Sequence, residues 1–318
     1  MIAGVAAAAF GAFSWSLSFI VPFVIGDYSA FDSTLLEFIF SGLISAFLLW
    51  RNAHLVKHLK PRDWFTACSL GLIGYAGYFL AVMGAAIYAG PVIAPAFIGL
   101  VPVVLGVAGN MAQKTVSWKS LTLPLVLATL GLALVNSSDF VHSGGIEMRS
   151  LALGIPLAIL AVALWTTFGM VNASALAKRP HMDAGVWTAL IMAGAGISML
   201  AFLPVGLLLG VFEISRLGLH WGMAGPLLMW CVGLALLANF GGTLAWTFAS
   251  QRIPVALAAQ LITIEPASAT ILGLFVHRRW PTLEEASGMV VVLVGVISAI
   301  GIFSRAPRRA ALAHERSR

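Results

Sequence analysis

Glu265 stands directly before Pro266 in the middle of an apolar stretch that runs from Ile253 to Val276. An ionised carboxylate in hydrocarbon is costly unless it faces a cavity or a partner, so an acid at that depth is either a working group or a bonded structural one. Pro266 removes a backbone donor and loosens the preceding turn, freeing carbonyls that neighbours or water must satisfy. The chemistry open to Glu265 is binding a coupling proton or the cationic amine of a substrate; the competing role is a protonated Glu bonded across a helix interface. Trp15 and Trp165 sit near the middle of apolar stretches, away from the interfacial belts where Trp concentrates. An indole there offers a flat apolar face and one N–H that wants a partner, which suits a pocket for an amphipathic solute. Tyr75 and Tyr78 are three residues apart and share a helical face, while Asn239, Thr243 and Trp246 recur at intervals of four and three. Taken singly, each could serve as interhelical glue. Taken as a set around one cavity, Trp15, Tyr75, Tyr78, Trp165, Asn239, Thr243 and Trp246 make a substrate-binding site, with Glu265 as its coupling or amine-binding group.

Other polar residues read differently. Gln260 and Thr263 are weaker candidates, since Gln260 does not share a tight face with Glu265. Asn110 and Gln113, close to a loop, read as end caps. Glu37, one to two turns from the start of its apolar stretch, reads as an interfacial residue that snorkels to the headgroups. Gly71, Gly74, Gly77, Gly206 and Gly210 read as packing devices, and Pro91, Pro95, Pro102, Pro254 and Pro266 as bends that rock during a working cycle.

The elements that must position these residues follow from composition. The 318 residues are 60% hydrophobic and 9% charged, with mean hydropathy +0.98, against roughly 25% charged for a soluble globule. That makes the fold class all-α integral membrane. A hydrocarbon core of roughly 30 Å takes about 20 helical residues, and ten stretches qualify: 2–25, 31–50, 64–86, 91–112, 119–137, 151–174, 184–210, 223–249, 253–276 and 284–303. The first continues well beyond a signal-peptide core and reads as a retained helix. Cys68 and Cys231 lie in apolar runs and form neither a disulfide framework nor a metal pattern.

The chain repeats itself. Gly4 precedes Trp15 by eleven residues, as Gly154 precedes Trp165; Pro102 precedes Gly131 by twenty-nine, as Pro266 precedes Gly295. This gives a first repeat over 1–138, a second over 150–304 and a basic cytoplasmic tail over 305–318. With both termini cytoplasmic, fourteen of the eighteen Lys and Arg residues face inward. Five spans is an odd number, so the second repeat is inverted, and inverted repeats are an architecture of secondary transporters.

The Gly4…Trp15-Ser16 and Gly154…Trp165-Thr166 patterns, the Glu265-Pro266 step followed by Gly273-Leu274-Phe275, and the Pro281-Thr282-Leu283 turn leading into Gly295-Val296 resemble the drug/metabolite transporter superfamily, EamA family, and within it the YtfF-like bacterial inner-membrane proteins. The resemblance covers essentially the whole chain. It implies a ten-helix multi-pass transporter of the bacterial inner membrane, commonly an exporter of amino acids or other small metabolites, with a cavity lined by spans 1, 3, 4, 6, 8 and 9. In one respect the chain departs from that family: where an acid commonly precedes the last helix, it reads His277-Arg278-Arg279-Trp280.

Enzymatic function is not expected. The seven histidines, His54, His58, His142, His181, His220, His277 and His314, fall in loops, segment ends or the tail, with no HExxH, and no phosphate-binding G-x-x-x-x-G-K-[ST] loop occurs. No cofactor, metal or nucleic acid is expected; the partners are a small-molecule substrate and the lipid bilayer, with the protein a monomer or homodimer. The expected activity is proton-coupled or exchange-driven export of an amphipathic solute by alternating access. The alternatives are a multidrug or lipophilic-cation exporter, in which the same Trp and Glu residues grip a cation, and an uncoupled facilitator.

Overall fold

The computed structural model describes residues 1–135 and 148–316. His142, residues 136–138 of the first repeat and Arg318 lie outside them, as do the side chains of Pro91, Pro95, Arg149, His277 and residues 306–316. Among the described residues every regular element is a helix: α1 (Ile2–Ser16), continued by a 3-10 segment (Leu17–Phe23); α2 (Ala30–Arg51); α3 (Pro61–Gly71), a π turn (Leu72–Gly77) and α4 (Tyr78–Ile98); α5 (Val101–Gln113); α6 (Trp118–Val135); α7 (Met148–Ala177); α8 (Ala184–Leu208); α9 (Trp221–Leu234), a second π turn (Ala235–Gly242) and α10 (Thr243–Ser250); α11 (Val255–Ile262); α12 (Ile264–His277); and α13 (Leu283–Arg316). Nine helical runs among the described residues, 18 to 30 residues long, are apolar enough to cross a bilayer. The chain is an all-α integral membrane protein.

The fourth expected span is interrupted. Gly99 and Leu100 form a turn, and α5 resumes with Pro102 in its first turn, leaving an apolar helix of 13 residues. The ninth breaks alike: α11 gives way to α12 at Thr263, whose hydroxyl donates to the Gln260 carbonyl at 2.6 Å, and Pro266 sits in the first turn of α12. Proline has no N–H to give and crowds the carbonyl four residues back, so a helix ends before it more readily than it runs through it. Other features recur at the interval separating Pro102 from Pro266. Tyr75 and Asn239 each lie in a π turn, and Lys114 and Arg278 each close a helix with left-handed φ of 48° and 50°.

Small residues bring the helices together. A Cβ on Gly71 would run into the backbone of Ile191 and Ala195 on α8, and one on Gly194 of α8 into the backbone of Cys68 on α3. Gly131 and Gly295, matched in sequence, face the same α6–α13 contact: a Cβ on the first would lie 2.6 Å from Val292 Cγ2, one on the second 3.1 Å from Leu127 Cβ. Gly210 has a different role from the packing one expected of it. Its φ of +66° turns the chain after α8, and nothing lies within 4 Å of where its Cβ would be.

Polar clasps hold both ends of the bundle. At one, Arg179 at the end of α7 donates from Nε to Asp63 Oδ1 at 2.6 Å, while Asp63 caps α3 through the Lys60 N–H at 2.9 Å. The guanidinium carbon of Arg179 lies 5.3 Å from the Trp187 ring centroid, Trp187 Nε1 donates to Asn172 Oδ1 at 2.8 Å, and Asn172 Nδ2 to Ser250 Oγ at 3.4 Å. Near the other end, Asp32 at the start of α2 accepts the amides of Glu213 (3.1 Å) and Ile214 (3.2 Å). The Arg279 of the family departure is paired with Glu285 at 2.6 Å.

Candidate functional site

Three helices from distant parts of the chain deliver their tryptophans to one point. Trp15, in the last turn of α1, meets Trp165 of α7 edge-on, with centroids 5.2 Å apart and planes at 86°, and Trp246 of α10 at 5.7 Å. Tyr78 lies 4.9 Å and Tyr75 6.0 Å from Trp165, centroid to centroid, and Phe168 closes the group at 5.2 Å from Trp165. Thr243 donates to the Tyr75 hydroxyl at 2.5 Å. So Trp15, Tyr75, Tyr78, Trp165, Thr243 and Trp246 form one cluster.

The three indoles are buried, at 7%, 5% and 1% exposure, and the N–H of each has no hydrogen-bond partner among the described residues. A buried donor left unsatisfied costs about 1–3 kcal/mol, and three in one cluster call for an acceptor that enters from outside. Gly242 is part of the arrangement, because a Cβ there would lie 2.8 Å from Trp15 Nε1. Gly242→Ala should therefore displace the indole and raise the half-saturating solute concentration about tenfold, the equivalent of about 1.4 kcal/mol. Concentration dependence of uptake in proteoliposomes measures this; unchanged saturation would remove Trp15 from the binding surface.

Glu265 lies in the first turn of α12, half-buried, with no hydrogen bond or ion pair among the described residues. Helix α12 packs against α1, which carries Trp15, and the Glu265 charge is close enough to act on Tyr75 and Tyr78. Burial changes sharply around it. Every residue from Val255 to Thr263 is buried, whereas Ile264, Glu265 and Pro266 are half-buried and Phe275 is 76% exposed. Helix α11 is thus enclosed by the bundle, whereas α12 has a face on its outside.

The expected stripe Asn239, Thr243 and Trp246 divides between neighbours. Asn239 lies within the π turn and donates from Nδ2 to Ser41 Oγ of α2 at 3.2 Å, whereas Thr243 and Trp246 turn to the aromatic cluster. Gln260 is 1% exposed, with Nε2 unpartnered against Gly106. Asn110 holds Val116 (N to Oδ1, 3.2 Å) and Gln113 accepts the Val255 amide at 3.0 Å, so both tie helix ends to neighbouring segments. Glu37 departs from its interfacial reading: it is 2% exposed, deep between α2 and the second half of the chain, because α9 and the second π turn pack over that face. Sequence reasoning passed over Phe168, which carries no polar signal, and Asn172, whose place inside an apolar run was the available clue. Among the described residues no group of three or more His, Cys, Asp or Glu could hold a metal ion.

Residues 152–301 match the model of the EamA-like transporter family. The chain carries an EamA domain. That domain supplies Trp165, Thr243, Trp246 and Glu265 to the candidate site, while Trp15, Tyr75 and Tyr78 come from before it. Along nearly its whole length the chain is similar to Inner membrane protein YtfF of Escherichia coli (strain K12), with 27% identity over 308 residues, 94% of this chain and 95% of that one. A solved crystal structure of a protein, 15% identical, covers 95% of this chain and 98% of its own with a TM-score of 0.75, a likeness of fold. With its EamA domain and apolar spans, the protein is a multi-pass membrane transporter of small solutes.

Proposed function

We propose that this protein is a secondary carrier that exports small amphipathic metabolites, amino acids foremost, by alternating access in exchange for protons. The observation that carries the reading is the complement of idle groups in the cluster. Among the described residues three indole N–H donors lack an acceptor, and one carboxylate, Glu265, lacks a donor. An amino acid offers a carboxylate to the first, an ammonium to the second and an apolar side chain to the ring faces. A lipophilic cation would engage the rings and Glu265 but leave the three N–H groups unpaired, so the aromatic box by itself gives only the second reading.

The recurrence of π turns, helix breaks and left-handed caps at one interval supports two inverted five-helix repeats, 1–138 and 150–304, with both termini cytoplasmic and a location in the bacterial inner membrane, the location in the name of the YtfF relative. The test is flux in proteoliposomes over a panel of amino acids and lipophilic cations, with and without an imposed pH gradient. Gradient-driven flux of amino acids is the expected result. Flux of lipophilic cations alone, or amino-acid flux indifferent to the gradient, would overturn the substrate class or the coupling respectively.

A further inference from the structure

A second buried acid lies away from the aromatic cluster, in a polar seam along α2. Ser33, Glu37, Ser41 and Ser45 follow one another at intervals of four, so they form a single helical stripe, and their exposures are 3%, 2%, 0% and 0%. In a membrane helix a buried stripe of this kind is expensive unless each group is satisfied. Two are not: the Glu37 carboxyl has no hydrogen bond or ion pair among the described residues, and Ser45 Oγ has no partner. Ser41 Oγ donates to the Glu37 carbonyl at 2.6 Å and accepts from Asn239 Nδ2 at 3.2 Å, which joins the seam to the second π turn.

A cavity opens past the end of the seam. One and two turns beyond Ser45, on the same face of α2, Leu48 and Asn52 line a partly open cavity of about 200 Å³ with Asp183, Val186, Ala189 and Phe240, roomy enough for several waters. Ser45, Ser41 and Glu37 are each four residues apart, about 6 Å of helical rise, a spacing that single waters bridge. The groups facing Glu37 are few. Cys231 of α9 sits on Ser33, with Sγ 3.5 Å from its carbonyl oxygen; Asp32 is committed to the amides of Glu213 and Ile214; α4 brings Met83, bonded to Thr34 at 3.4 Å; Tyr75 meets α2 at Phe38, 6.2 Å between centroids. Helix α8, packed along α2, has no charged side chain between Ala184 and Leu208. Among the described residues no cation pairs with Glu37 and no donor bonds its carboxyl.

We infer that Glu37 is a second proton-binding residue, loaded from the Asn52–Asp183 cavity along the Ser45–Ser41 seam. It rests on the proton-coupled reading above and adds a proton site distinct from Glu265. A hydronium in the cavity gives its proton through intervening water and the serine hydroxyls to the Glu37 carboxylate, leaving water behind, and the acid returns the proton by the same bonds.

The test needs no substrate. Infrared difference spectra between acid and alkaline pH, taken on purified protein in lipid, should contain two carboxylic C=O bands attributable by substitution: one removed by Glu265→Gln, the other by Glu37→Gln. Ser45→Val should leave the Glu37 band in place and slow its appearance after a pH jump about tenfold. Glu37→Asp, which retains the acid one methylene back, should shift the band and carries the test if Glu37→Gln does not fold. A difference spectrum identical in wild type, Glu37→Gln and Glu37→Asp means a carboxyl fixed in one state and overturns the inference. If instead the Glu37 band titrates while wild-type flux ignores a pH gradient, the coupled-transport reading fails and Glu37 stands as a proton site without a transport role.

Discussion

Glu265→Gln is expected to lower gradient-driven uptake by about 100-fold, the equivalent of about 2.8 kcal/mol, in a protein that still runs as a folded species on size exclusion. The substitution preserves size and hydrogen-bonding capacity and removes only the ability to carry charge and release a proton. The fold should survive because no bond among the described residues depends on the carboxylate. Solute exchange without a gradient separates the two roles open to this residue. If Glu265 binds only the proton, exchange persists in the Gln variant; if it also grips the substrate ammonium, exchange falls with net flux. Gradient-driven flux equal to wild type would return Glu265 to helix packing.

Arg179→Ala should cost about 2 kcal/mol and lower the melting temperature by several degrees. Removing one partner of a fully buried ion pair costs about 3–5 kcal/mol; here Arg179 and Asp63 keep 17% and 16% of their side-chain surface, so water recovers part of that. The loss is more than one bond, because the guanidinium also covers Trp187, whose N–H belongs to the Asn172–Ser250 chain. A double-mutant cycle with Asp63→Ala isolates the pair, with an expected coupling of about 1 kcal/mol or more. Since the clasp joins α3 to the end of α7 and on to α10, loosening it should also increase labelling of a cysteine placed at Ser250. Unaltered melting and labelling would reduce the clasp to a surface contact.

The aromatic half of the site was legible in the sequence because a tryptophan at mid-membrane depth is conspicuous, and because Trp15 and Trp165 repeat. Spacing alone grouped Tyr75 with Tyr78 correctly, and both touch the same indole. Asn239 shows where spacing fails. Four- and three-residue intervals assume 3.6 residues per turn, and a π turn inserts an extra residue that leaves Asn239 on the α2 side while Thr243 and Trp246 meet the rings. Glu37 was misread for another reason: distance along a helix from its end says how deep a residue sits but not which way it faces. The polar clasp of Asp63 and Arg179 joins residues more than a hundred positions apart, and no local pattern announces it.

The two π turns also bear on how this protein tolerates insertion and deletion. Each residue of an α-helix advances the chain by about 100°, so a one-residue deletion in Leu72–Gly77 or Ala235–Gly242 would heal the helix into regular form and swing everything beyond it by that angle. After the first, Tyr78 would leave the aromatic cluster; after the second, Thr243 and Trp246 would. A shortened chain could thus be more regular in its helices, insert into a bilayer as well as its parent, and lack the proposed binding site. On that proposal, length in these two segments is held by function where helix geometry alone would favour losing a residue.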